Sequence, residues 1–437
     1  MNYQDKEIVV IGLGITGLSC VMFFLRQGVI PRVMDTRKNP PTLAKLPSHI
    51  KYCLEELNEK WVLAATLIVV SPGVSLYHPV LVTAAHLGIE IIGDIELFVR
   101  EVTKPIVAIT GTNGKSTVTR LVGEMAFAAG LRVGIGGNIG RPALTLLNDD
   151  YQLYILELSS FQLETTFSLK AAVAIILNIS NEHVNRYPFG LQQYRDVKLK
   201  IYEQASSCVV NALDVLTFPR NDCEERCIYF GNEPSGHYIK FWKGQAFLML
   251  HNEILFNCKD LRIIGYHNYT NVLAALVLAD VLSISRTVCL SVLQGFIGLA
   301  HRFELIHNKN GVQWINDSKS TNIASTQVAL RSLVLDGIIH LLLGGDAKSA
   351  DFSSLKSWVQ RDNISLYCFG KDGKYLSMLR SNNVILTDTM EQAVRIVGSN
   401  VRTGDVVLLS PACSSLDQFK NFELRGKIFT NLAKEVG

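Results

Sequence analysis

The stretch Ile106-Val107-Ala108-Ile109-Thr110-Gly111-Thr112-Asn113-Gly114-Lys115-Ser116-Thr117 constrains this chain more than any other. Its apolar, β-branched start reads as a buried strand. A glycine turn then opens into a helical pattern that runs to about Ala129, where Gly130 is placed to stop it. Strand, glycine turn and helix in that order make a phosphate cradle, because backbone N–H groups and the positive end of a helix converge on one anion. Lys115 supplies a point charge for the outer phosphates, and Ser116 or Thr117 offers a hydroxyl to a bound Mg²⁺. Ile109 stands where the usual P-loop carries its first glycine, so the string is a compact variant, Gly111-x-x-Gly114-Lys115-Ser116. A plain strand-to-helix turn would account for the glycines and leave Lys115 without a task.

At 437 residues the chain has room for about three domains of roughly 150 residues each. Its composition, 48% hydrophobic and 19% charged, is that of a globular protein. A net charge of only +3, spread over scattered basic residues, argues against a nucleic-acid groove and for small anionic partners. The first seven residues carry both signs of charge, which argues against a signal peptide, and no apolar run approaches the ~18 residues of a membrane span. Nine cysteines lack framework spacing, and the close pair Cys223 and Cys227 has no histidine at finger spacing. Reduced thiols in a cytoplasmic protein are the expectation.

Residues 1–93 read as a first domain. Glu7 to Gly12 is a strand, followed by Gly12-x-Gly14-x-x-Gly17 and an apolar helix ending near Gly28; Val29 to Met34 is the next strand, with Asp35 at its end. Glycines that admit a pyrophosphate, and an acid roughly 20 residues on for a ribose hydroxyl, form the dinucleotide fingerprint. NAD fits it, and so does a UDP-sugar. Leu67 to Val70 is a further strand ending at Ser71-Pro72-Gly73. Because ligands of open α/β sheets sit beyond the carboxyl ends of the strands, Gly14, Thr16, Asp35, Thr36, Arg37, Ser71 and Gly73 should share one rim. The domain is too short to house a substrate pocket for hydride chemistry as well.

Residues 94–298 form the expected central domain. After the phosphate loop come the strand Arg132 to Ile135 with the turn Gly136-Gly137-Asn138-Ile139-Gly140, and the strand Tyr151 to Leu158 carrying Glu157 near its end. A carboxylate in so apolar a setting is costly unless paired or metal-bound, so Glu157 reads as a Mg²⁺ ligand. The strand Ala171 to Asn178 leads to His183, which should reach the same sheet edge as Lys115 and Glu157. Lys198 and Lys200 lie on a helix from Gln192 to Ala205 and by position alone face solvent. Short alternating strands from Arg226 to Asn257 read as an antiparallel flap, and Asn268 and Asn271 share one face at the start of a long helix, as suits a nucleotide.

Residues 299–437 repeat a doubly wound pattern with no phosphate loop of its own. Arg302 sits at the junction. The strands Val312 to Ile315, Ile338 to Leu343, Ile364 to Phe369 and Val406 to Leu409 precede polar or glycine-rich turns. These include Asp317-Ser318-Lys319-Ser320-Thr321, Gly344-Gly345-Asp346-Ala347-Lys348 and Ser410 to Ser415, with Phe422 in the following helix. Such turns suit a small charged substrate.

Three α/β units in this order resemble the Mur ligases of peptidoglycan precursor synthesis over the whole chain. The resemblance rests on the paired glycines with Lys115, on Leu156-Glu157-Leu158-Ser159-Ser160-Phe161-Gln162-Leu163-Glu164, on Ser414-Ser415-Leu416-Asp417-Gln418-Phe419, and on His183, Asn268, Asn271, Arg302 and Asp317. It implies a Rossmann-like N-terminal domain, a central P-loop mononucleotide-binding domain with a small antiparallel sheet, and a Rossmann-like C-terminal domain. It further implies a monomeric cytoplasmic enzyme with no membrane span and no nucleic-acid partner, which uses ATP and Mg²⁺, two ions being expected. The implied reaction joins D-glutamate to UDP-N-acetylmuramoyl-L-alanine through an acyl phosphate.

Carried over, Gly111, Thr112, Asn113, Gly114, Lys115, Ser116, Thr117, Asn268, Asn271, Arg302, Asp317 and Lys319 are expected around ATP. Gly14, Thr16, Asp35, Thr36, Arg37, Ser71, Gly73 and Asn138 should hold the UDP-sugar, and His183, Thr321, Lys348, Ser415 and Phe422 the D-glutamate. Ser116, Glu157, His183 and a carbamylated Lys198 are the implied metal group, with Lys115, His183 and Lys198 catalytic. Glu182 and Asn185 stand where the family usually has Asp, and Ala347 where it has Gly, which matters if that position needs a positive φ. The rival readings are a folylpolyglutamate synthetase-like ligase, which should lack the first domain, and an NAD-dependent oxidoreductase. A non-catalytic UDP-sugar sensor is a third.

Overall fold

The computed structural model describes residues 2–181, 186–233, 236–333 and 335–437, and of 221–223 the backbone course alone. His183, Glu182 and Asn185 therefore lie outside the described residues. Backbone proximity divides the chain into two compact units. One is Met1–Ile239 with Met249–Glu253 and Val272–Val292; the other is Lys240–Leu248 with Ile254–Asn271 and Leu293–Gly437.

The first unit opens with strands β1 (Ile8–Ile11), β2 (Arg32–Asp35), β3 (Tyr52–Leu54), β4 (Leu67–Val70) and β5 (Glu90–Ile92), ordered β3-β2-β1-β4-β5 and all parallel. The order reverses between β1 and β4, so the glycine loop after β1 and Ser71 after β4 flank the crevice where such sheets take ligands. Ser71 Oγ donates to the Gly12 carbonyl at 2.8 Å. A Cβ on Gly17 would lie 1.7 Å from that same carbonyl oxygen, so glycine is what lets helix Ile15–Arg26 start this close to the strand.

Next come β6 (Ile106–Thr110), β7 (Val133–Gly137), β8 (Leu153–Glu157), β9 (Val173–Ile176), β10 (Ser207–Asn211) and β11 (Cys227–Gly231). Strands β10-β9-β6-β8-β7 form a parallel array, as fully apolar runs do when helices cover both faces. The expected antiparallel flap needs correcting at its start. Strand β11 pairs parallel with β10, and the start of β12 (His237–Trp242) pairs parallel with β11, so the central sheet's ladder continues past β10. The short strands β13 (Gln245–Leu250) and β14 (Glu253–Asn257) follow.

The boundary expected at residue 93 is not a break in packing. One apolar core runs from Tyr3, Val10 and Phe24 through Leu97 and Phe98 to Ala108, Leu156, Ile176 and Val210. Helix Asp94–Glu101 is the shared element. Phe98 meets Tyr154 edge-on at 5.1 Å, and Glu96 accepts from Phe167 N, Ser168 N and Ser168 Oγ. Asp94, at the first position of this helix, is buried; its Oδ2 accepts from Gln162 Nε2 at 3.3 Å, while Oδ1 has no hydrogen-bond partner among the described residues.

Burial pushes the Asp94 carboxyl up to about 6, against hydrogen bonds from Gln162 and nearby backbone that lower it. The unfolded chain ionises near ~3.9, so the folded protein holds this proton more tightly, and stability falls as pH rises between those two values. Asp94→Asn is accordingly expected to raise stability by about 1–3 kcal/mol above pH 7, with the gain shrinking towards pH 4. Urea unfolding of both proteins at the two pH values measures it.

The second unit contains β15 (Glu304–Lys309), β16 (Val312–Asn316), β17 (Ile339–Gly344), β18 (Ile364–Phe369), β19 (Val384–Leu386) and β20 (Val406–Ala412), ordered β15-β16-β20-β17-β18-β19. Within this sheet, among the described residues, only the β15–β16 pair is antiparallel. One apolar layer, with Leu341, Leu366 and Leu408, packs on one face of the sheet, and another, with Leu342, Trp314 and Phe429, on the other, which is the doubly wound pattern expected. In the turn after β17 the left-handed residues are Gly345 (φ 126°), Lys348 (φ 49°) and Ser349 (φ 61°); Ala347 is not among them, so its Cβ meets no backbone penalty.

Candidate active site

In the first unit the phosphate loop takes the shape its glycines allow. Gly111 has φ 154°, and Gly114, with φ 83°, caps helix Lys115–Ala128 in the left-handed region. The N–H groups at the start of that helix face the loop, the arrangement that binds phosphate. Lys115 Nζ donates to the carbonyls of Gly111 and Thr112, each at 2.8 Å, and so folds over its own loop. Asn178, just past β9, braces the loop in both directions: its Oδ1 accepts from Asn113 N and its Nδ2 donates to Asn113 O. Thr112 N donates to the Asn178 carbonyl, and the Thr112 hydroxyl lies 3.3 Å from Tyr194 Oη. Sequence reasoning took Asn178 as the end of a strand; an amide at a sheet edge beside a phosphate loop was the available signal.

Glu157, at the end of β8 and 2% exposed, takes the Ser116 hydroxyl on Oε2 at 2.5 Å and Asn138 Nδ2 on Oε1 at 2.7 Å. Asn138 N also donates to the Glu157 carbonyl. The structure thus joins Ser116 and Glu157 by a hydrogen bond, and ties Asn138, assigned by resemblance to the UDP-sugar, to the same carboxylate. Lys198 is 1% exposed rather than solvent-facing. Its Nζ donates to Thr110 Oγ1 and the Gly111 carbonyl, both at 3.0 Å, and lies 4.8 Å over the Tyr194 ring. The helix Gly190–Leu199 looks polar by sequence; what buries Lys198 is a partner loop far away in the chain.

Among the described residues no group of three or more His, Cys, Asp or Glu is arranged to hold a metal ion. The donor set still suits a hard divalent cation: a buried carboxylate and a hydroxyl share one hydrogen bond beside a phosphate loop, and Mg²⁺ takes one or two carboxylate oxygens with substrate phosphate and water. Lys198 as an ammonium adds no ligand; as a carbamate it would add carboxylate oxygens.

On the first sheet, Gly14 caps helix Ile15–Arg26, and Thr36, Arg37 and Gly73 are exposed beyond the strand ends. Asp35 differs. It is buried, accepts from Leu13 N at 2.6 Å, and grips Arg37 through Nε at 2.8 Å and Nη2 at 2.6 Å. Burial alone would raise its pKa, but the bonds from Arg37 and Leu13 hold it below the usual carboxylate range. The acid expected to meet a ribose is therefore committed to the loop and to Arg37, which weakens the NAD reading. Arg186, which sequence reasoning left unassigned, donates to the Val74 carbonyl and to Glu164, linking the turn after β4 to the central sheet.

In the second unit the polar turns gather at the carboxyl ends of β16, β20 and β17. Asp317 is buried and accepts from Phe303 N, Ser320 Oγ and Ser410 Oγ. Burial lifts its pKa to about 6 despite those bonds and the nearby Arg302 charge. Lys319 Nζ stands 3.8 Å over the Phe422 ring. Thr321 and Lys348 are exposed, and Ser415 is buried next to Ser414, whose backbone bonds Asp346 in both directions. Asn268 and Asn271 are brought together, Nδ2 of the second donating to Oδ1 of the first at 3.4 Å. Arg425, not anticipated, lies fully buried and donates to Ser318 Oγ, the Ser318 carbonyl and the Cys413 carbonyl, so one guanidinium braces two of the turns.

Three family models match successive stretches: the Mur ligase MurD-like N-terminal domain over 6–93, the Mur ligase middle domain over 109–279, and the Mur ligase glutamate ligase domain over 301–413. The UDP-N-acetylmuramoylalanine–D-glutamate ligase of Sodalis glossinidius is 60% identical over 436 residues, covering all of both chains, and that of Escherichia coli is 58% identical over the same length. Among solved structures, the MurF ligase from Thermotoga maritima in complex with ADP superposes with a TM-score of 0.63 at 16% identity, covering 99% of this chain and 96% of the other. At that identity the likeness concerns the fold.

Proposed function

The chain belongs to the Mur ligase family, and from that premise we propose that it is the ATP-dependent ligase joining D-glutamate to UDP-N-acetylmuramoyl-L-alanine. The observation that carries this reading is the cluster around Gly111: a lysine-bearing phosphate loop, the buried Ser116–Glu157 pair and the buried amine of Lys198 within one sheet edge. Such a cluster answers the demand of the reaction, in which a carboxylate must approach a triphosphate and negative charge accumulates.

The alanyl carboxylate attacks the γ-phosphorus, ADP departs, and the amine of D-glutamate displaces phosphate from the acyl phosphate. Backbone N–H groups of 111–117 and Lys115 hold the outer phosphates. Ser116 and Glu157 would hold Mg²⁺, which supplies charge neutralisation when bound, and His183 and a carbamylated Lys198 would be the further ligands if two ions are taken up. Carbamylation adds the uncharged Lys198 amine to CO₂ with loss of a proton, turning a cation into a carboxylate. Gly14, Thr16, Thr36, Arg37, Ser71 and Gly73 hold the UDP-sugar, Asp35 aims Arg37, and Asn138 steadies Glu157. Asn268, Asn271, Arg302, Asp317 and Lys319 serve the nucleotide. Thr321, Lys348, Ser415 and Phe422, with His183, frame D-glutamate. The functional division follows 1–93, 94–298 and 299–437. The enzyme works as a cytoplasmic monomer; among the described residues no helix is long and apolar enough to cross a membrane.

Phosphate release from ATP with UDP-N-acetylmuramoyl-L-alanine should require an amino acid and be fastest with D-glutamate. Equal rates with L-glutamate, or NADH binding tighter than the UDP-sugar, would overturn the reading.

A further inference from the structure

In the second unit a cavity of about 620 Å³ opens among Phe241, Tyr266, Tyr269, Gln313, Arg331 and Asp405, a size within the ~300–1,000 Å³ of small-molecule pockets. Gln313 and Val406 line it at the beginnings of β16 and β20, whereas Asp317 and Ser410 stand at the carboxyl ends of the same two parallel strands. The cavity is therefore separate from the polar turns of the candidate active site. We propose that it is a second ligand site, which takes a planar aromatic ring bearing an anionic group.

The aromatic half of the argument comes from Phe241 and Tyr266. Their rings are stacked at 6.1 Å with planes 22° apart, and they remain 64% and 41% exposed. Two large flat faces inclined by so small an angle on a cavity wall are a ready platform for a third ring, and ring stacking adds roughly 0.5–1.5 kcal/mol beyond burial. Tyr269 extends the same wall.

The preference for an anion follows from the charges. Asp405 lines the cavity, but its carboxylate is spent inward: it accepts from Ile338 N at 2.9 Å, Arg402 N at 2.8 Å and His340 Nε2 at 3.1 Å. Arg331 is exposed, and its guanidinium carbon lies 5.3 Å over the Trp358 ring, a contact that restrains the side chain without cancelling its charge. The 16-residue helix Tyr266–Val281 also begins here, and its first N–H groups add positive potential. Stacking wall, fixed cation and helix start favour the same chemistry, that of a nucleoside phosphate or an aromatic carboxylate.

The test uses the full chain with the substrate sites saturated by a non-hydrolysable ATP analogue and UDP-N-acetylmuramoyl-L-alanine. Fluorescence titration with 8-anilinonaphthalene-1-sulfonate should then reveal one saturable site. Its affinity should fall fivefold or more in Phe241→Ala and in Arg331→Ala, with part of the loss restored in Arg331→Lys; circular dichroism checks that each variant is folded, and Phe241→Leu replaces any that is not. Displacement by adenosine monophosphate identifies a nucleotide site, and displacement by indole-3-carboxylate an aromatic-acid site. Absence of saturable binding, unchanged affinity in both variants, or displacement by neither competitor overturns the proposal.

Discussion

Replacing Lys115 by alanine should reduce turnover by on the order of 10² or more while leaving the affinity for the UDP-sugar nearly unchanged. The ammonium is a charge at the mouth of the phosphate loop, where it donates to the carbonyls of Gly111 and Thr112. Losing it removes a donor to the phosphoryl group when charge builds up there, a contribution worth several kcal/mol in a site that excludes water. The loop itself should keep its shape, because Asn178 braces Asn113 and the Thr112 N–H independently of the lysine. Phosphate-release kinetics paired with calorimetric titration of the UDP-sugar separate the two quantities. Turnover near that of the unaltered enzyme would remove Lys115 from the mechanism.

A comparable loss is expected for Lys198→Ala, with a different signature. If the buried amine carries a carbamate, short carboxylic acids should enter the vacated space and restore part of the activity, and the unaltered enzyme should respond to bicarbonate. Lys198→Arg keeps a cation in place but forms no carbamate, so it should stay as inactive as the alanine variant. An arginine variant with substantial activity would instead assign the side chain a purely cationic duty at Thr110 and Gly111. Steady-state rates across a series of added formate and acetate concentrations decide between the two.

The strands and their order of appearance were legible because β-branched runs such as Ile106–Ile109 and Leu67–Val70 can scarcely be anything but buried strands, and the glycine turns after them mark one sheet edge. What escaped reading depends on contacts distant in sequence. Lys198 sits on a helix whose composition suggests solvent, and Thr110 and Gly111, brought alongside by the fold, accept from its buried amine. Asp35 matched the fingerprint by spacing, yet spacing does not reveal that Arg37 and Leu13 N would claim both oxygens. The parallel pairing of β11 escaped for a related reason: alternation in Cys227–Gly231 fixes which side chains alternate, not the direction of the neighbouring strand. Ala347 shows the converse, a departure from the family pattern that becomes harmless because the positive φ falls on Lys348 and Ser349 instead.

Helix Asp94–Glu101 gives the first two sheets a common interior, and this bears on how the enzyme tolerates damage and change. Modules that share an interior melt cooperatively, so a lesion beneath the rim that follows β1 and β4 is expected to loosen the Lys115 turn as well, even though no atom of that turn is touched. The same fusion restricts evolutionary shuffling: an N-terminal module borrowed from a relative would have to bring matching partners for Phe98 and Glu96, or the hybrid would inherit both recognition surfaces and hold neither firmly.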